Sequence, residues 1–112
     1  MIYSIDQDTK KIIKGIVHSE SARERRRKKG QQTEFDARVE DAIRKAQEEM
    51  VIKNCCAGSR ITIIHKLHES LEDNRPWEKM GDTLCHRRLF YAYRTQYMWR
   101  IAVNLGIILG HK

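Results

Sequence analysis

The stretch HRRLFYAYRT, residues 86–95, gathers Arg87, Arg88, Tyr91, Arg94 and Thr95. A guanidinium can grip a guanine edge through O6 and N7, or a phosphate, and phenol and hydroxyl groups can donate to phosphate oxygens. Basic residues at a helix start oppose the macrodipole, so their presence there points to a use outside the fold. Arg94, nearer the apolar stripe, could reach a backbone phosphate from its edge. A second basic group, Arg25, Arg26, Arg27, Lys28 and Lys29, lies in RERRRKK, residues 23–29, six of whose seven residues are basic. Such a run can bind phosphates by counterion release. It also repels itself and is expected to bury no face, which makes it a solvated helix end or a linker that orders on binding.

Other chemistry is harder to build from this chain. Cys55, Cys56, Cys85, His65, His68 and His86 are enough ligands for zinc, but there is no Cys-x2-Cys pair and adjacent cysteines rarely share an ion. They are expected to be free thiols and helix-face histidines, with no metal and no cofactor. Phe90, Tyr91, Tyr93, Tyr97 and Trp99 could stack on single-stranded bases, yet their helical spacing fits a core better. There is no glycine-rich phosphate loop and no nucleophile elbow, and Glu69 and Glu72 sit on an ordinary helical face. The expectation is a non-enzyme.

Charge distribution agrees with the basic groups. Residues 1–30 carry nine basic and four acidic residues, residues 31–58 four and six, and residues 59–112 nine and five, within a net charge of +7. No acidic residue follows Asp82. A near-neutral middle flanked by two basic segments suits a polyanion. Three cysteines, two adjacent, suit a reducing compartment. No apolar run approaches the roughly 18 residues of a membrane span. The N-terminal MIYSIDQDTKK lacks an apolar signal region, so a cytoplasmic protein away from membranes is expected.

Helices must position these groups. At 112 residues the chain makes one small domain, and six glycines with one proline argue against a strand-and-turn protein. Residues 1–32 read as an N-terminal helix and basic arm, and 33–112 as a helical domain joined to it in one compact unit. Ile12, Ile13, Ile16 and Val17 mark a stripe, with Asp8 as the expected N-cap. Over 33–53, Thr33 and Asp36 form a loose capping box, Phe35, Val39, Ala42, Ile43, Ala46 and Met50 recur at helical spacing, and Glu40 can pair with Arg44. Over 59–72, Ser59 is the expected N-cap, with Ile61, Ile64, Leu67, His68 and Leu71 on one side; the β-branched ITII leaves a strand open. Pro76 opens a short helix with Trp77 and Met80 inward and Gly81 at a close helix–helix approach. Leu84 and Cys85 close a turn. The last helix runs from His86 to about Leu105, stopped by Gly106. Phe90, Tyr93, Tyr97, Ile101 and Leu105 share its inner stripe; Arg88, Tyr91, Ala92, Thr95 and Trp99 lie opposite. Its later turns, Met98 to Val103, are apolar almost all round and need a second covering, from the N-terminal helices or a partner chain. Ile107, Ile108 and Leu109 could join that contact.

Trp77, Met80 and Gly81, then His86, Arg87, Leu89, Phe90 and Tyr91, then Ile101, Ala102, Leu105, Gly106 and Ile107 follow a known order. The stretch resembles the phage late transcription regulators of the RinA and ArpU families, which are similar to the promoter-reading fourth region of bacterial sigma factors. The resemblance covers about 30 residues. His86 stands where that pattern has a capping serine, and the turn is one residue shorter. It implies a sigma-like helix-turn-helix and a bacterial host cell.

The expectation is an all-α fold of four to five helices that binds double-stranded DNA sequence-specifically as a transcription regulator. The helix from His86 would enter the major groove with Arg87 and Arg88, assisted by Tyr91, Arg94 and Thr95, while residues 25–29 hold phosphates. The rivals are a protein-interaction module docking on RNA polymerase or another regulator through the apolar last helix, and a DNA-packaging adaptor. The adaptor would assemble into rings, whereas a regulator would be a monomer or a homodimer.

Overall fold

The computed structural model describes residues 3–53 and 55–108. The fold is all-α: α1 (Gln7–His18), α2 (Glu20–Lys28), α3 (Glu34–Glu49), α4 (Ala57–Glu72), a single 3-10 turn at Trp77–Lys79, and α5 (Arg87–Asn104). No strand occurs among the described residues. The ITII segment is therefore helix, as its 64/67/71 spacing dictates.

α1 starts earlier than expected, because Asp6 and not Asp8 supplies the cap; its carboxylate accepts the Thr9 N–H at 3.4 Å. Ile13 and Val17 are fully buried in the common core, and Ile12 faces solvent. α2 follows after Ser19 alone.

The basic run departs most from expectation. It is ordered helix, and it buries Arg23, whose guanidinium donates to the Ile16 carbonyl and, at 2.8 Å, to Ser19 Oγ. Burial pushes the Arg23 pKa down, and Glu20, Glu40 and Asp36 oppose that shift. Arg26 donates twice to Asp36, at 2.6 and 2.7 Å. Carboxylates of α3, with Glu20 at the start of α2, thus relieve the self-repulsion that the local sequence alone implies.

In α3 the capping box is present: the Asp36 N–H donates to Thr33 Oγ1 at 3.0 Å, and the Thr33 N–H to Asp36 at 3.2 Å. Phe35, expected inward, is exposed. Arg44 pairs with Asp41 and with Glu48 rather than with Glu40. The helix stops at Glu49, short of the expected 53, and Arg60 of α4 closes it by donating to the carbonyls of Gln47, Glu48 and Met50 at 2.9–3.0 Å. A guanidinium on the last carbonyls does what a C-terminal glycine often does.

α4 begins at Ala57 because Cys56, not Ser59, is the cap; its Sγ accepts the Ser59 N–H at 3.5 Å. Ile63, Ile64, Leu67 and Leu71 face the core, while Ile61 is exposed and His68 half-buried.

α5 is the spine against which α1, α3 and α4 pack. Phe90, Tyr97, Ile101 and Ala102 are essentially inaccessible. Trp99, placed opposite the stripe by periodicity, is also buried, with Tyr3 edge-on at 5.1 Å. Met98 is buried as well. The covering that these turns require comes from within the chain. Gln96 adds a polar clasp, accepting the Val51 N–H at 2.8 Å and donating to the Val51 carbonyl at 3.2 Å. Ile107 is exposed and Ile108 half-buried; Leu109 lies outside the described residues.

Candidate nucleic-acid interface

The approach to α5 is built around Trp77. Its indole N–H donates to Thr83 Oγ1 at 3.0 Å and to the Cys85 carbonyl at 3.1 Å, and the Thr83 hydroxyl donates to the same carbonyl at 2.7 Å. The Trp77 backbone N–H donates to Tyr91 Oη at 3.0 Å. Lys66 of α4 donates to the Met80 carbonyl at 2.9 Å. The expected short helix is therefore only one 3-10 turn, and a pinned loop, residues 80–86, leads into α5. The helix breaks at Gly81, whose φ is +74°. Nothing lies within 4 Å of where its Cβ would stand, so Gly81 serves conformation and not a close approach. Leu84 also takes a left-handed φ of +61°, in a turn where Asp82 Oδ1 accepts its N–H at 3.0 Å.

His86 caps α5 in place of a serine, Nδ1 accepting the Leu89 N–H at 3.4 Å. Arg87 and Arg88 are exposed on the first turn. Arg87 reaches Glu78 at 3.3 Å; Arg88 has no ion pair among the described residues. Tyr91 is half-buried, and the guanidiniums of Arg87 and Arg94 each lie 5.7 Å from its ring centroid. Burial pushes the Arg94 pKa down, and its Nε is buried without a hydrogen-bond partner. Thr95 donates its hydroxyl back to the Tyr91 carbonyl at 3.0 Å.

Arg94, Tyr91 and Thr95 border a cleft of about 320 Å³ that Gln7, Lys10 and Lys14 of α1 complete. Lys10 and Lys14 are the functional candidates that sequence reasoning missed. Their i,i+4 spacing was the available signal, but nothing local says that α1 lies against α5.

The other basic group borders different neighbours. Arg25 and Lys29 are exposed, and Arg27 and Lys28 each lie 3.6 Å from Glu24. Arg27 lines a groove with Glu40, Ile43 and Arg44 of α3. Arg26, turned to Asp36, is a tie between α2 and α3.

The cysteines and histidines weighed for zinc do not assemble. The one group of three metal-ligating residues among the described residues is Glu20, His68 and Glu72, with ligand atoms within 4.8 Å of one another. Two carboxylates and an imidazole suit a divalent ion. Here the imidazole is engaged: Nε2 lies 3.0 Å from Glu20 and 3.8 Å from Glu72, and Nδ1 lies 2.7 Å from Tyr97 Oη. The His68 hydrogen bond holds the Glu20 carboxyl low, whereas burial and Glu20 itself push Glu72 up. Phe90 and Tyr97 are core, as their place on the inner stripe implies, and Trp99 is core as well.

No family model, curated protein or solved structure matches the chain.

Proposed function

We propose that the protein binds double-stranded DNA and regulates transcription, with the first two turns of α5 entering the major groove. The observation that carries this reading is the exposure of Arg87 and Arg88 at the start of a helix whose later turns are fixed in the core. A reading helix needs its far end anchored and its N-terminal side chains exposed. The indole-pinned loop takes the place of the supporting helix of a sigma-like helix-turn-helix, and the resemblance to RinA- and ArpU-type regulators supports the same assignment. RNA polymerase and a second copy of the chain are the further partners proposed, in a bacterial cytoplasm.

The test is Arg88→Ala, measured on a selected binding site and on random duplex. A base-reading arginine discriminates by about 1–3 kcal/mol, so the variant loses affinity for the selected site and little for random duplex. Equal loss on both makes Arg88 a phosphate contact. An interaction module docking through the later turns of α5 is less well supported, because Met98, Trp99, Ile101 and Ala102 are already buried within this chain.

A further inference from the structure

We propose that the cleft between α1 and α5 is a phosphate seat, in which Lys10, Lys14 and Arg94 together hold one backbone phosphate of bound duplex. The proposal rests on the DNA-binding reading for the source of the phosphate.

The cleft gathers three cations from two helices, and no carboxylate lines it; the other lining residues are Gln7, Tyr91, Thr95 and Met98. None of the three cations forms an ion pair among the described residues, whereas Arg26, Arg44 and Arg87 all do. The Arg94 Nε–H is buried without an acceptor. Burial pushes the Lys14 pKa down, and the like charges of Arg94 and Lys10 add to that shift. A cluster of like charges works against folding and is relieved by one anion.

A phosphate diester fits because it offers several strong acceptor oxygens to two ammonium groups and a guanidinium. The position also suits a duplex. Tyr91 borders the seat and stacks on Arg87 of the α5 start, so a backbone phosphate in the cleft lies beside the groove-reading turn. Such contacts fix register while base contacts specify.

The test uses the full chain and the double variant Lys10→Gln/Lys14→Gln, with Arg38→Gln/Lys45→Gln on α3 as a charge-matched control. Relief of repulsion predicts a double variant at least as thermally stable as wild type, which confirms its folding. Inorganic phosphate, titrated against chloride at equal ionic strength, is expected to give saturable backbone NMR shifts around Lys14 and Arg94 that the double variant loses. On random duplex, the slope of log affinity against log salt becomes shallower by about 0.9, the value for one phosphate, in the double variant and not in the control. An unchanged slope, with wild type still binding DNA, overturns the seat and leaves the DNA reading standing. An equal change in the control also overturns it, since net charge alone then explains binding. Saturable phosphate shifts in a wild type that binds no duplex overturn the duplex as the source, and the DNA reading with it, while keeping an anion seat.

Discussion

The Tyr91 hydroxyl accepts the Trp77 N–H at 3.0 Å, tying the loop before α5 to the second turn of that helix. The Arg87 and Arg94 guanidiniums each lie 5.7 Å from the centroid of the same ring. One side chain thus sets both the entry angle of the chain and the posture of two candidate DNA contacts. Tyr91→Phe keeps the ring and removes the tie. A net hydrogen bond contributes about 1 kcal/mol, and denaturant unfolding should show a loss of that size. Unchanged stability would mean that the loop is held by the indole alone.

Gly81 is required for its backbone and not for space. A left-handed conformation costs an ordinary L-residue roughly 1–2 kcal/mol. Gly81→Ala is expected to lose about that much, and Gly81→Asn less, since asparagine visits this region more readily. Equal tolerance of both in a urea titration would contradict the assignment.

The Arg26 hydrogen bonds hold the Asp36 carboxyl well below its ordinary value of 3.8, against the effect of burial. A lowered carboxyl stabilises the fold above its ordinary pKa and loses that contribution as pH falls towards the lowered one. Wild type should therefore exceed Asp36→Asn in stability at pH 7, and the gap should narrow below pH 3.8. Arg26→Gln should lower the melting temperature more than Arg25→Gln, because only Arg26 joins two helices. A gap that stays constant on acidification would exclude this pair as its origin.

Glu20 and Glu72 flank one imidazole with opposite consequences. Glu20 is lowered, chiefly by the His68 hydrogen bond, so its contribution is present above its ordinary 4.5 and lost on acidification through the lowered value. Glu72 is raised, chiefly by burial, so its contribution is present below 4.5 and lost as pH rises through the raised value. At pH 7, Glu20→Gln should destabilise and Glu72→Gln should be neutral or stabilising. Thermal melts shifting in the same downward direction would contradict this division.

Much of the architecture is legible because its causes are local. Thr33 with Asp36, and His86 ahead of Leu89, are capping relationships within four residues, and both helix starts follow from them. The stripe from Phe90 to Ile101 follows from periodicity. The rest depends on partners far along the chain. Arg60 closes α3 across 10–13 residues, Asp36 orders a basic run that looks self-repelling, and Trp77 contracts an expected helix to one turn by engaging Thr83 and Cys85. At the candidate interface, Arg87 and Arg88 are readable from the helix start. Lys10 and Lys14 are not, because their relevance exists only once α1 lies on α5.

The central claim is nucleic-acid binding, and its most direct test is the affinity of the full chain for random duplex DNA at low and at moderate salt. Six to ten phosphate contacts would lower affinity by about 10³–10⁵ between 50 and 200 mM salt, and fewer contacts proportionately less. Firm binding at low salt that collapses as salt rises is the expected result. Absence of binding at low salt would contradict it.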